Sequence, residues 1–212
     1  MSYSVKEIYY TLQGEGFHAG SPAVFCRFTG CNLWSGREED RKTAKCTFCD
    51  TDFVGTDGPN GGKFESAAEL AAAVGALWPN GSLRSRPLVV CTGGEPLLQV
   101  DEALVSAFHD RGFVVAIETN GTKSAPPGID WICVSPKQGV ELALREGSEL
   151  KLVYPQLDAP PELYEGFEFQ HFFLQPMDGS RREANTVAAV EYCLKHPQWR
   201  LSLQTHKFAG IP

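Results

Sequence analysis

The chain has 212 residues, 42% of them hydrophobic and 21% charged, with a formal net charge of −7 and an isoelectric point near 5.3. That length can bury a sizeable core, and the acidic balance argues against broad binding to nucleic acid or anionic membrane. No apolar run approaches the ~20 residues of a membrane span, and the opening MSYSVKEIYY lacks the apolar stretch of an export signal, so a cytoplasmic setting is expected.

Short apolar, β-branched runs predict strands over residues 23–28, 88–91, 114–117, 131–134, 150–154, 172–174 and 201–203. Helices are expected between several of them. The first runs from a Ser66 cap to about Trp78, with Glu69 at the capping-box position. Two more cover 101–111, with Ala103, Leu104, Ala107 and Phe108 on one face, and 185–195, with Val187, Val190 and Leu194. The run GTDGPNGGK at 55–63 reads as a mobile loop, and 79–86 and 124–128 as connections. Strands separated by helices favour βαβ units, and six or seven such units are too few for an eightfold barrel. The expectation is one domain, residues 1–212, of α/β class, built as a partial, open barrel.

Of seven cysteines, three fall at Cys31, Cys46 and Cys49, followed by Asp50 and Thr51. An odd number with no export signal suits a reducing compartment, where thiols stay free for metals. Both sulfurs of Cys46-Thr47-Phe48-Cys49 can face one centre, and three thiolates leave a position open for a non-protein ligand. Fourteen residues separate Cys31 from Cys46, half of them charged, which reads as a solvated loop or short surface helix. Zinc, completed by His18 or Cys26, and an iron–sulfur centre are both open on this pattern alone. Cys26, Cys91, Cys133 and Cys193 lie in apolar runs and are expected to pack as small hydrophobes.

Polar residues recur where strands end. Thr92-Gly93-Gly94-Glu95-Pro96 follows LVVC, Glu118-Thr119-Asn120-Gly121 ends the next strand, and Ser135-Pro136-Lys137 and Gln175-Pro176-Met177-Asp178 end later ones. Carboxyl ends of strands are where α/β proteins place their ligands.

Three cysteines after the strand AVFCRF, with Gly93-Gly94-Glu95 ending the next, resemble the radical S-adenosylmethionine enzymes. The resemblance implies a partial, open (β/α)6-type barrel with trimmed helices and an inserted cluster-binding loop. It also implies a 4Fe–4S cluster on Cys31, Cys46 and Cys49, its fourth iron chelated by S-adenosylmethionine. The commonest spacing in that family places three residues between the first two cysteines, so the loop here departs from it. A narrower resemblance rests on Ile8-Tyr9-Tyr10-Thr11-Leu12-Gln13-Gly14-Glu15-Gly16, Arg27 and Cys49-Asp50-Thr51. It is to the 7-carboxy-7-deazaguanine synthases of queuosine and 7-deazapurine biosynthesis, and it covers the chain from Glu7 to Pro212.

That narrower resemblance implies a lyase acting on 6-carboxy-5,6,7,8-tetrahydropterin, with loss of ammonia, through a 5′-deoxyadenosyl radical that takes the hydrogen at C6. Leu12, Gln13, Gly14, Glu15, Arg27, Thr92 and Pro212 are the implied substrate contacts, Arg27 as a fork on the carboxylate. Thr51 is the implied Mg²⁺ ligand, a hard oxygen beside the substrate carboxylate. Phe48, Cys49, Asp50, Gly94, Glu95, Glu118, Ser135, Pro136, Lys137, Gln175, Pro176, Met177 and Asp178 are the implied contacts to S-adenosylmethionine. A flavodoxin-like electron donor and a homodimer are expected by the same resemblance. Two other readings stand beside it: an activase of the same superfamily that takes hydrogen from a glycyl residue of a partner protein, and a zinc-stapled binding module.

Overall fold

Aromatic and β-branched residues (Tyr3, Val5, Ile8, Tyr9, Tyr10 and Thr11) carry the chain into a strand from Tyr3 onward. A computed structural model describes residues 2–79 and 86–212. The strands are β1 (Tyr3–Leu12), β2 (Pro22–Phe28), β3 (Gly62–Phe64), β4 (Leu88–Gly93), β5 (Val114–Thr119), β6 (Trp131–Val134), β7 (Glu146–Tyr154), β8 (Glu168–Pro176) and β9 (Trp199–Leu201). They form one sheet in the order β3-β1-β2-β4-β5-β6-β7-β8-β9. β1 runs antiparallel to β2 and β3, and every pairing from β2 through β9 is parallel. The fold is therefore mixed α/β with a large parallel sheet.

Alternation along β2 separates two faces. Val24, Cys26 and Phe28 join Val89, Cys91, Val115 and Ile117 in a core closed by Leu70 and Val74 of helix α1 (Ala67–Leu77) and by Leu104 and Phe108 of helix α2 (Glu102–His109). Ala23, Phe25 and Arg27 point to the other face, which carries the cavity described below. The α1 cap is as expected: Ser66 Oγ accepts from Glu69 N at 3.2 Å. Asp101 caps α2 by accepting from Leu104 N at 2.9 Å. Helix α3 (Arg182–Lys195) covers β8 and β9, and a short α4 (Thr205–Ala209) follows.

Several expectations change. β1 has no counterpart among the predicted strands; its burial follows a broken alternation because the register shifts between Val5 and Glu7. The run at 55–63 is tied to β1 instead of hanging free: Gly58 N donates to Lys6 O at 3.0 Å, Ile8 N to Pro59 O at 2.8 Å, and Asn60 Nδ2 to Ile8 O at 2.9 Å. The last strand lies two residues earlier than the apolar run 201–203, where Trp199 can bury its indole. Residues 80–85 of the expected connection at 79–86 lie outside those described. Neither β5–β6 nor β6–β7 is bridged by a helix, and β7–β8 has only a 3-10 turn at Pro161–Tyr164.

Candidate active site

A cavity of about 530 Å³ opens at the carboxyl ends of the parallel strands and is lined by all three clustered cysteines. Cys31 follows β2, and Leu33 N donates to its Sγ at 3.4 Å. Burial pushes the Cys31 thiol up, while the amides of Leu33 and Trp34 pull it down. Cys46 and Cys49 lie sulfur to sulfur. The hydrogen bond from Cys46 draws the Cys49 thiol down to about 6, and the same contact, with burial, pushes Cys46 up. All three cysteines line the one cavity, and three thiolates leave one position of a metal centre to a non-protein ligand. Neither zinc completion holds. Cys26 is fully buried in the core beside Cys91, and His18 packs against Trp131 away from the cavity.

The insertion between Cys31 and Cys46 is only partly solvated. Its charged middle forms an exposed 3-10 turn at Glu38–Thr43, but Leu33 and Trp34 are buried. Arg41 stacks over the Trp34 ring at 4.0 Å and donates from Nη1 to Thr47 O at 3.1 Å and Cys49 O at 3.0 Å. A surface residue of the insertion thus grips the backbone of the C-x2-C turn.

The Gly-Gly-Glu strand end divides its labour. Gly93 and Gly94 line the cavity, and a Cβ on Gly94 would overlap Gly30 O and the Cys31 Cβ. Only glycine lets the end of β4 lie this close to the Cys31 loop. Glu95 is fully buried and does not line the cavity. Its oxygens accept from Leu97 N at 2.9 Å, Thr119 Oγ1 at 2.7 Å and Asn120 N at 2.8 Å. Through these bonds Glu95 braces the end of β4 against the end of β5. Pro136 is likewise buried off the cavity, with its carbonyl accepting from Gln156 Nε2 at 3.2 Å.

The remaining expected positions share this cavity: Phe48, Cys49, Asp50, Gly94, Glu118, Ser135, Lys137, Gln175, Pro176, Met177 and Asp178, together with Leu12, Gln13, Gly14, Glu15, Arg27, Thr51, Thr92 and Pro212. Arg27 donates from Nε to Glu7 Oε1 at 2.8 Å and from Nη2 to Tyr9 Oη at 2.7 Å, so β1 aims its guanidinium. Gln13 Nε2 donates to Glu118 Oε1 at 3.1 Å, which groups Glu118 with the β1–β2 turn. The chain's end closes one side: Thr205 N donates to Gly14 O at 2.9 Å, and Lys207 Nζ lies 2.7 Å from Asp50 Oδ2 and 2.6 Å from Asp178 Oδ2.

Sequence reasoning gave no role to Glu7, Tyr9, Asn120, Lys151, Gln204, His206 and Lys207, which also line the cavity. Lys151 had a signal. In Glu149-Leu150-Lys151-Leu152-Val153 the apolar leucines alternate with charge, as a strand with one face on a polar cavity requires. Lys151 is buried between Glu15 and Glu118, with Nζ 2.7 Å from an oxygen of each. Burial opposes its charge, but Cys133 and the carboxylates of Glu118, Glu15 and Glu149 outweigh burial and raise its pKa well above normal. Burial also opposes ionisation of Glu15, yet Lys151 pulls that carboxyl down to about 2; at Glu118 burial wins and the pKa rises.

Parallel strands that bring three loop thiols, a Gly-Gly strand end and a ring of hydrogen-bonding groups to one cavity define a class, the radical S-adenosylmethionine enzymes. No family model matches the chain. It is 66% identical over 212 residues to the 7-carboxy-7-deazaguanine synthase of Bordetella pertussis and 64% identical over 212 residues to that of Caulobacter vibrioides, with each alignment covering the whole of both proteins. It also matches the crystal structure of QueE from Escherichia coli at 28% identity with a TM-score of 0.72, over 96% of this chain and 94% of that one. The chain belongs to the 7-carboxy-7-deazaguanine synthase family.

Proposed function

We infer that this chain converts 6-carboxy-5,6,7,8-tetrahydropterin to 7-carboxy-7-deazaguanine with loss of ammonia, as a radical S-adenosylmethionine lyase of 7-deazapurine biosynthesis. One observation carries the reading: a single cavity is lined both by Cys31, Cys46 and Cys49 and by Arg27, Gln13, Glu15 and Thr51. The three cysteines on one cavity and the glycine-only approach of β4 to the Cys31 loop suit a 4Fe–4S cluster on those thiols. Bound together, cluster and S-adenosylmethionine supply the radical that takes the substrate hydrogen at C6.

The chain's own part is to bind, orient and exclude water. Arg27, aimed by Glu7 and Tyr9, offers its free Nη1 edge to the substrate carboxylate. Thr51 offers a hydroxyl to a Mg²⁺ ion shared with that carboxylate. Leu12, Gln13, Gly14, Glu15, Thr92 and Pro212 meet the pterin, and the link from Gln13 moves Glu118 to this side of the cavity. Phe48, Asp50, Gly94, Ser135, Lys137 and the segment Gln175, Pro176, Met177 and Asp178 face S-adenosylmethionine.

The finer fold follows. Gly16 N donates to Ser202 Oγ at 2.9 Å, so the segment after β9 reaches the β1–β2 turn although six strands lie between β1 and β9 in the sheet. A curled sheet, read as a partial barrel with trimmed helices in one domain, accounts for that contact. A flavodoxin-like donor and a homodimer complete the reading. Among the described residues no helix is long and apolar enough to cross a membrane.

Anaerobic reconstitution tests the proposal. The expected protein is brown, holds about four irons per chain and turns over carboxytetrahydropterin without a protein partner; Cys46→Ala loses iron and S-adenosylmethionine cleavage. A colourless protein with one tightly held zinc would refute it.

A further inference from the structure

Two carboxylates facing one cavity from opposite elements repel each other, and without compensation one of them takes up a proton. Glu15, in the β1–β2 turn, and Glu118, near the end of β5, are each about four-fifths buried, and Lys151 on β7 lies between them, its side chain 3% exposed. Its Nζ is 2.7 Å from Oε2 of each, so those two oxygens are at most twice that distance apart. The other oxygen of each carboxylate takes an amide: Gln204 Nε2 at 3.0 Å from Glu15 Oε1, and Gln13 Nε2 at 3.1 Å from Glu118 Oε1. Each carboxylate is thus held by one ammonium and one amide, Glu118 Oε2 also accepts from Cys133 Sγ at 3.5 Å, and the amide-bonded Oε1 of each retains a second lone pair.

We propose that Lys151 is a positioning residue for the substrate, holding the Glu15 and Glu118 carboxylates side by side as two simultaneous acceptors for two adjacent N–H donors. On the pterin reading above, on which this inference rests, the 2-amino group and N3–H of the pyrimidine edge are such a pair. Lys151 itself is no acid or base, because its carboxylate partners keep it charged. Glu118, Cys133 and Glu149 form a trio within metal-binding range, and the ammonium already supplies the cation of that cluster.

The groups facing this pair are Tyr9 on β1, Lys151 and Glu149 on β7, Cys133 on β6, His206 on α4 and, beside Glu149, His18. Lys151→Met removes the one close cation, so both carboxyls rise and the pair carries a proton near neutrality. A protonated carboxyl turns one acceptor into a donor and meets a substrate donor head on.

The test is equilibrium binding of 6-carboxy-5,6,7,8-tetrahydropterin, whose N3–H keeps its proton over this range, to protein reconstituted with its cluster and S-adenosylmethionine and held anaerobically without a reductant so that no turnover follows, between about pH 6 and about pH 9. Wild type should bind with little pH dependence. Lys151→Met should bind at least about tenfold more weakly at pH 7 and recover about tenfold per pH unit as the pair loses its proton, while Lys151→Arg should restore the flat profile. Weakening of Lys151→Met with an unchanged pH profile marks a merely structural ion pair and overturns the proposal, as does wild-type affinity. Should Lys151→Met fail to fold, the double variant Lys151→Met, Glu118→Gln leaves no like-charged pair. It should bind weakly with no pH dependence, and a rise with pH in that variant overturns the proposal. Failure of wild type to bind the pterin at any pH refutes the substrate reading instead.

Discussion

Glu95 separates two accounts of the Gly-Gly-Glu strand end, one in which its carboxylate meets a ligand and one in which it braces the protein. Three donors converge on it from Leu97 N, Thr119 Oγ1 and Asn120 N. Burial pushes its carboxyl up, against the pull of those same donors. In Glu95→Ala the Thr119 hydroxyl can turn to another acceptor, but the two amides are fixed by the backbone. Each orphaned buried donor costs about 1–3 kcal/mol, and the vacated carboxyethyl volume adds to this, for a total of about 3–5 kcal/mol. In a protein of this length that lowers the melting temperature by roughly 6–20 °C. Glu95→Gln keeps one acceptor but turns an NH₂ toward donors, and should lose about 2–3 kcal/mol. Urea unfolding of the metal-free protein gives the stability, and S-adenosylmethionine binding by the reconstituted protein gives the function. A brace predicts that both variants lose stability first, with binding lost only in proportion to unfolding. An unchanged urea midpoint with binding abolished would refute the reasoning, because the carboxylate would then be free to reach the ligand.

Gly94→Ala should push the Cys31 loop away from β4 and lower iron retention; cost and direction follow from overlap with backbone, about 1–3 kcal/mol, and full iron content by elemental analysis would refute it. Thr51→Ala should blunt the magnesium response of turnover in a titration run beside wild type. Asp130 is opposed by its own burial, but Val115 N at 2.8 Å and His109 Nε2 at 2.9 Å hold its carboxyl below the usual range. Because the folded pKa is depressed, its contribution to stability is present above roughly pH 4 and lost as pH falls. Asp130→Asn should therefore flatten the acid limb of urea midpoints against pH, and an unchanged acid limb would count against the assignment.

What the sequence made legible was the part written in local pattern. Runs such as LVVC and WICV are strands because β-branched and apolar residues fill a sheet buried on both faces, and Ser66 with Glu69 starts a helix by a short-range cap. Cavity residues at strand ends were legible too, since polar groups clustered after apolar runs have few other uses. The misses have physical causes. In Tyr3–Leu12 a register shift breaks the period-two signal, so β1 hid behind a motif. Lys151 is charged inside a strand, and only the three-dimensional approach of Glu15 and Glu118 explains why burial is tolerated. The brace at Glu95 was not legible because two of its donors, Thr119 and Asn120, lie 24 and 25 residues away in sequence.

The long gap between Cys31 and Cys46 can now be judged by what its ends do. A loop of fourteen residues hung between two ligands of one centre would cost entropy and leave the first cysteine poorly placed. Here Asn32 bonds Thr122 Oγ1 at 2.8 Å and accepts from Asn120 Nδ2 at 3.0 Å, which pins the start to the end of β5. Trp34 sits edge-on to Phe53 with ring centres 5.6 Å apart, and Leu33 O accepts from Lys45 N at 3.0 Å, which closes the loop on itself just before Cys46. Only the charged turn between is left to water. Since Asn120 N is also held by Glu95, the brace at the end of β4, the start of the insertion and the first cysteine share one hydrogen-bonded chain. The number of residues between Cys31 and Cys46 is therefore free to vary, whereas the anchors at Asn32, Trp34 and Arg41 are not. Shortening the turn within Glu38–Thr43 while keeping Arg41 should leave iron content unchanged, and Trp34→Ala should lower it.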